Sequence, residues 1–383
     1  MVLMENPVYL DYNATTPIDP EVAQEMIPFI ETYFGNPSSS YLIGRQNKDA
    51  IEKARKQVAV LINCKPEEII FTSGGTESNN HAIKGVAFAN RHKGKHIITS
   101  AIEHPAVTEV CEFLKLNGYD ISYIKVDQFG QVNPADVEKA IRPETILISV
   151  MHANNEVGTI QPIKEIADIA KKSHTIFHTD AAQSVGKIKT DVQELGIDLL
   201  SVAGHKLYAP KGIGVLYIKK GTQISNLLHG AGQEKGIRPG TENIIGIVGL
   251  GKACEIAGKN LSNNHKHMKE MRERLYQGLK NALNIPIKVN GHPENRLPNT
   301  MSISFEKVDA HTLASIIKND VMISTGSACH SGIEDISPVL KAMNVNFMTA
   351  GSTVRISTGK YTTRKEIDFA VEVISKTVFK LSH

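Results

Sequence analysis

Cysteine is scarce in this chain: Cys64, Cys111, Cys254 and Cys329 are the only four in 383 residues, and no C-x-x-C pair occurs. That scarcity argues against a disulfide framework and a zinc ribbon, and it implies reduced thiols. Long apolar runs are also missing, since none approaches the roughly 20 residues that a membrane span requires. The first residues, MVLMENPVYLDYN, carry neither a basic region nor a small-residue cleavage site, so the cytoplasm is the expected compartment. An excess of one charge is lacking too. The net charge is +3, and the 43 basic residues are spread along the chain, which leaves no nucleic-acid footprint. Repeats and low-complexity segments are absent.

What is present is a globular composition, 41% apolar and 22% charged, on a chain long enough for one large and one smaller domain. Seven apolar runs suited to strands, EEIIFTS, HIITSAI, ISYIKVD, TILISVM, TIFHTD, LLSVAG and GVLYIKK, are mostly separated by helical patterns such as PIKEIADIAKK. This alternation predicts an α/β fold with a largely parallel sheet covered by helices on both faces. Ligands of such sheets bind beyond the carboxyl ends of the strands, which directs attention to EHP (103–105), ANNE (153–156), DAAQ (180–183) and GHK (204–206). After about residue 255 a long charged helix leads into short strands and helices with the texture of a separate α+β domain. The expected division is a large domain over 16–255 and a smaller one formed by 1–15 and 256–383.

Two motifs are decoys. GIVGLGKA (246–253) nearly matches a phosphate-binding loop, but Ala253 replaces the hydroxyl that would hold magnesium, and a glycine-tolerant helix is the better reading. His265 and His267 lie in a polar segment without metal-ligand spacing and read as solvated surface; no metal site is expected. Cys64, Cys111 and Cys254 read as small buried hydrophobes.

The chemistry concentrates elsewhere. EEIIFTS runs into SGGTESNN, placing Gly74, Gly75 and Thr76 at a helix start whose free N–H groups favour an anion, although Thr76 could equally be a plain helix cap. Lys206 follows an apolar strand among small residues and an aromatic, where a partly desolvated amine loses its proton more readily and can form a Schiff base. Asp180 ends the strand TIFHTD, where a carboxylate could cap a loop or neutralise a cationic ring nitrogen. A phosphate cradle, an amine nucleophile and a buried acid are the parts that pyridoxal phosphate requires of a protein.

These stretches, together with YLDYNATTP (9–17), GNPSS (35–39), HANNEVGTIQP (152–162), RPGTEN (238–243), GSAC (326–329) and VRIS (354–357), resemble the cysteine desulfurase family. That family belongs with the class V aminotransferases among fold-type I pyridoxal-phosphate enzymes. The resemblance spans nearly the whole length. It implies that Lys206 holds pyridoxal 5'-phosphate, that Asp180 pairs with the pyridine nitrogen, and that His104 stacks on the ring and assists proton transfer. It further implies that Gln183 and Asn155 address the phenol oxygen, Asn155 also meeting substrate. Gly75, Thr76 and His205 would take the phosphate, with Thr241 reaching over from a second subunit of a homodimer. Arg355, assisted by Asn36, would clamp the carboxylate of L-cysteine. Cys329 would attack the substrate sulfur, leave alanine, and pass the persulfide sulfur to an acceptor protein such as an iron–sulfur cluster scaffold or a thiolation protein.

Three departures from the family pattern stand out. Ala203 replaces a serine hydroxyl on the phosphate, so looser cofactor binding is expected. Lys360 stands where arginine is common and reads as a solvated surface charge. The segment CHSGIEDISP (329–338) is slightly longer than usual and places His330 beside Cys329, a pattern similar to selenocysteine lyases. A cationic His330 would lower the thiol pKa. L-Selenocysteine is therefore an alternative substrate; a class V aminotransferase or an inactive sulfur-transfer scaffold would leave these residues without work.

Overall fold

The computed structural model describes residues 7–325 and 336–382. All seven predicted strand runs pair into one sheet, in the order Ile69–Thr72, Gly214–Ile218, Leu199–Ala203, Ile176–Asp180, Thr145–Ser149, His96–Ser100, Asp120–Ile124. Six strands run in one direction, and Gly214–Ile218 runs against both of its neighbours. The alternation of side chains along each strand divides the apolar residues between two faces. Ile98, Ile148, Phe177, Leu200 and Val215 join one cluster, while Ile97, Leu147, Leu199 and Leu216 join another. Helices cover both faces: Leu42–Ile62 and Ile163–Lys172 contribute to the first cluster, Gly75–Ala89 and Pro105–Leu116 to the second. Because six strands share a direction, their carboxyl ends lie along one edge, and the loops that leave them are neighbours.

A second, smaller sheet is built from Ile287–Asn290, Thr300–Phe305 and Thr353–Ser357, all antiparallel. Its core includes Phe305, Leu313, Val354, Ile356 and Ile374, and it draws in Val8 and Leu10 from the start of the chain. Val8–Tyr9 pairs in parallel with Val321–Met322, and Asp11 bridges to Ser357. Residues 8–11 thus lie against the strands Val321–Met322 and Thr353–Ser357 before the chain runs on to the edge of the large sheet.

The helix Ile244–Ala282 is 39 residues long and serves both cores. Ile247, Leu250 and Cys254 pack against the large sheet, whereas Met271, Leu275 and Leu279 pack in the smaller core. GIVGLGKA lies inside this helix, so it is no phosphate loop. Gly251 has a packing use: a Cβ there would meet Ala54 at 2.6 Å, so its lack of a side chain lets Leu42–Ile62 approach closely.

Three sequence expectations need correction. Lys360 is not a solvated surface charge. Its ammonium pairs with Asp19, with both side chains largely buried, and it lies over the rings of Tyr208 and Tyr361 at 4.5 and 4.9 Å. Asp19 also accepts from Tyr361 Oη at 2.7 Å and caps the helix Pro20–Glu31. Burial alone would raise the Asp19 pKa, but the hydrogen bonds from Lys360 and Tyr361 outweigh it and hold the carboxyl below its usual range. Nor are His265 and His267 plain surface: both are half-buried, their ring nitrogens 3.3 and 2.9 Å from the carbonyls of Lys187 and Thr362. Cys111 and Cys254 are buried as expected, but Cys64 is only half-buried.

Candidate active site

The strand Ile69–Thr72 turns at Gly74, whose φ of +154° with ψ of −179° is a conformation that only glycine adopts freely. Gly74 caps the helix Gly75–Ala89 without any side-chain hydrogen bond. Thr76 is therefore not the cap; it sits in the first turn. The N–H groups of Gly75 and Thr76 belong to the helix end that carries partial positive charge. A Cβ at Gly75 would stand 3.2 Å from that of Ala203, so this turn lies directly beside the end of Leu199–Ala203.

Beyond that strand a short 3-10 turn, Gly204–Lys206, presents His205 and Lys206. Lys206 Nζ donates to the carbonyls of Asn13 at 2.6 Å and Ala14 at 2.7 Å. Burial, aided by the positive charge of Arg355, lowers its pKa to about 8, against the opposing pull of Asp11 and Asp180. His205 is likewise pushed down to about 4, first by burial and then by Lys206. Its Nδ1 lies 3.2 Å from Thr15 Oγ1.

Asp180 ends its strand buried, as a carboxylate without a cationic partner among the described residues. Asn79 Nδ2 donates to it at 2.7 Å and the Ala182 N–H at 2.9 Å. Two neutral donors aim the carboxylate and leave it acceptor capacity for a cationic group. His104 caps the helix Pro105–Leu116 by accepting from the Ala106 N–H at 3.1 Å. Its pKa is depressed chiefly by burial, with Asp180 opposing and Lys206 and Arg355 adding to the depression, which favours the neutral ring.

Arg355, in the small sheet, donates to Asp11 at 2.8 Å and to the Asn155 carbonyl at 3.2 Å. Its Nε is buried and has no hydrogen-bond partner among the described residues. Gln183 donates to the Asn13 carbonyl at 3.0 Å. Lys206, Asp180, His104, Gln183, Asn155 and Arg355 are thus drawn together by shared partners or mutual charge. Asn36 and Thr241 are not: both are exposed, and neither bonds to another of these residues within the described chain. Cys329 and His330 lie outside the described residues.

The residues present fit pyridoxal phosphate. A bare helix N-terminus suits its phosphate, a buried Asp180 held only by neutral donors suits its pyridinium, and a partly neutral Lys206 suits its aldehyde. Three contributors had no assigned role in the sequence reading. Asn13 links Lys206, Gln183, Asn155 and Arg355's neighbourhood through its backbone and side chain. Asn79 orients Asp180. Lys187 is a buried amine that donates to Gln183 at 2.8 Å. Asn13 and Asn79 lie within the stretches YLDYNATTP and FTSGGTESNN, and Lys187 follows Gln183 by four residues, the spacing of one helical turn.

The Aminotransferase class-V family profile matches residues 8–369. The chain is 49% identical over 379 residues to the cysteine desulfurase IscS of Dictyoglomus turgidum, covering 99% of this chain and 96% of that one. It is 48% identical over 376 residues to the cysteine desulfurase IscS of Methanosarcina thermophila, covering 98% and 92%. Among solved structures, a NifS-like protein superimposes with a TM-score of 0.91 at 40% identity, covering 97% of this chain and 98% of the other. SspA in complex with cysteine superimposes with a TM-score of 0.82 at 38% identity, covering 93% and 99%. The chain belongs to the class-V aminotransferase family, in its cysteine desulfurase branch.

Proposed function

We propose that this chain is a cysteine desulfurase that takes sulfur from L-cysteine, leaves L-alanine, and passes the sulfur to an acceptor protein of an iron–sulfur cluster or thiolation route. The observation that carries this is the Lys206 amine, buried, brought to a pKa of about 8 and flanked by Asp180 and Arg355. When bound, pyridoxal phosphate supplies an electron sink for a carbanion at the substrate α-carbon. Lys206 and Asp180 would hold it at its two reactive ends, with His104 against the ring, Gln183 and Asn155 at the phenol oxygen, and Gly75, Thr76 and His205 at the phosphate.

The chain's own residues divide the remaining work. Lys206, largely able to shed its proton at mildly alkaline pH, takes the α-proton and returns one to the alanine carbon. Arg355 binds the substrate carboxylate, sharing its guanidinium with Asp11, and Asn36 assists. Cys329 as thiolate attacks the substrate sulfur; the carbon–sulfur bond breaks and the sulfur stays on Cys329 as a persulfide. Its place in GSAC supports this role.

A homodimer completes the reading, Thr241 reaching the phosphate of the other subunit. Support comes from Thr241 standing exposed without a bond to the other site residues of its own chain, and from the exposed apolar Ile30, Phe34 and Leu42. We also read two domains, 16–255 and 1–15 with 256–383, supported by the separate apolar clusters that the long helix joins. The cytoplasm is the proposed compartment. Among the described residues no helix is long and apolar enough to cross a membrane, and three cysteines are unbridged.

The test is direct. Purified protein supplied with pyridoxal phosphate should show a visible chromophore that Lys206→Ala abolishes. Alanine should form from cysteine, and Cys329→Ala should keep the chromophore but lose sulfur transfer. A colourless wild type, or cysteine activity retained in Cys329→Ala, would overturn the reading. Parallel assays with selenocysteine measure the alternative substrate.

A further inference from the structure

Lys187 is a fully buried amine for which the mechanism above has no use. Its neighbours are unusual for a lysine: Gln183 Oε1 at 2.8 Å and Asn13 Oδ1 at 3.3 Å, both neutral amide oxygens, with no carboxylate in contact among the described residues. The charged groups that act on it, Lys206 and Arg355, are both cationic. Burial, reinforced by these two, brings its pKa down to about 7.

These contacts decide which way two amides face. A lysine amine offers its N–H groups, and a backbone carbonyl can only accept. Gln183 therefore turns its oxygen to Lys187 and its nitrogen to the Asn13 carbonyl; the flipped amide would set donor against donor and acceptor against acceptor. Asn13 is fixed by the same logic. Its oxygen accepts from Lys187 and from Asn299 at 2.9 Å, while its nitrogen donates to the Asn155 carbonyl at 3.0 Å and Thr300 Oγ1 at 2.8 Å. The backbone carbonyl of this fixed Asn13 in turn receives the Lys206 amine.

We propose that Lys187 is a positioning residue: by occupying the oxygens of Gln183 and Asn13, it compels Gln183 to present only N–H to the active site. One N–H of Gln183 is taken by the Asn13 carbonyl, and the second remains for an anionic oxygen. Resting on the cofactor reading above, that oxygen is the phenolate of pyridoxal phosphate. A donor there draws off negative charge and makes the visible chromophore easier to deprotonate. Without Lys187 the Gln183 amide is held only by the Asn13 carbonyl, and the donor is lost for part of the time.

The experiment is a pH titration of the visible absorption of the loaded protein, for wild type, Lys187→Met, Gln183→Met and the double variant. Lys187→Met is expected to raise the titration midpoint by about one pH unit, as partial loss of the hydrogen bond from Gln183 would. The double variant is expected to match Gln183→Met, because Lys187 acts through that amide. Lys187→Gln, which keeps an N–H donor without the charge, should shift the midpoint less than Lys187→Met. An unmoved midpoint in Lys187→Met, equal shifts in the methionine and glutamine variants, or a shift that persists undiminished in the Gln183→Met background would each overturn the proposal. Absence of any chromophore in the wild type would overturn the cofactor reading, and this inference with it.

Discussion

Single residues here take their character from where the backbone delivers them. Lys206 is an ordinary amine until burial and Arg355 lower its pKa to about 8, an effect that desolvation always has on the charged form of a lysine. Above about pH 8 the amine is mostly neutral and nucleophilic. In the cofactor-free protein, the rate of Lys206 alkylation, followed by peptide mapping, should reach half its plateau near pH 8, where an exposed lysine requires about 10.4. The residue scale is also where the sequence was hardest to read. The polar surroundings of Lys360 in STGKYTTRKEID suggest solvent, yet its partner Asp19 lies 341 residues away and closes over it with two tyrosines. Lys187 gave no signal for a related reason. Its partners are amide oxygens, and nothing in the sequence tells a lysine paired with amides from one in water.

At the scale of elements the sequence was far more legible. All seven strands of the large sheet follow from short β-rich apolar runs, and in all but the edge strand Asp120–Ile124 burial on both faces demands apolar residues almost throughout. The edge on which Asp180, His104 and Lys206 gather follows from strand direction alone. The loop between Gly214–Ile218 and the long helix was less legible, since its shape depends on a buried ion pair. Arg55 and Glu234, each nearly inaccessible to solvent, meet at 2.7 and 2.9 Å, and Glu234 also accepts from the Phe71 N–H at 2.8 Å. This pair fastens the segment that leads to Thr241 onto the helix Leu42–Ile62 and the strand Ile69–Thr72. Glu234→Ala leaves a buried guanidinium and a strand N–H unmatched, so a loss of about 3–5 kcal/mol is expected in denaturant unfolding. Faster proteolysis within 226–243 should accompany it. The departure at Ala203 belongs to this scale too: Ala203→Ser should tighten pyridoxal phosphate by about 0.5–1.5 kcal/mol in an absorbance titration, by restoring one hydrogen bond at the helix start.

For the whole molecule, buried histidines set the acid limit. His152 and His178 are fully buried, and desolvation lowers them to about 4 and about 3. His178 is held neutral between Ser149 Oγ at 2.8 Å and Ser201 Oγ at 3.0 Å. Between those values and the ordinary 6.5 the unfolded chain binds protons that the folded one refuses, so stability falls as pH drops through this window. Each histidine adds a slope of about 1.4 kcal/mol per pH unit there. Glu103 opposes them: burial raises it to about 8, so its contribution declines as pH rises from its usual range. His178→Gln should therefore show a shallower loss of stability between about pH 6.5 and 4 than wild type, measured by urea midpoints at stepped pH.

The same long-range connectivity has a bearing on how the protein is made. Arg355 meets Asp11 and the N–H of Asn13 meets Ser357, each across 344 residues, and Asn13 is where Lys206 rests its amine. The large sheet can pair while later residues are still being translated, but its catalytic edge stays unfinished until nearly the last strand arrives to receive the first residues. On the proposed reading, loading with pyridoxal phosphate is predicted to follow completion of the chain, and a polypeptide cut short before residue 353 is predicted to retain its strands yet forgo the site they were arranged to hold.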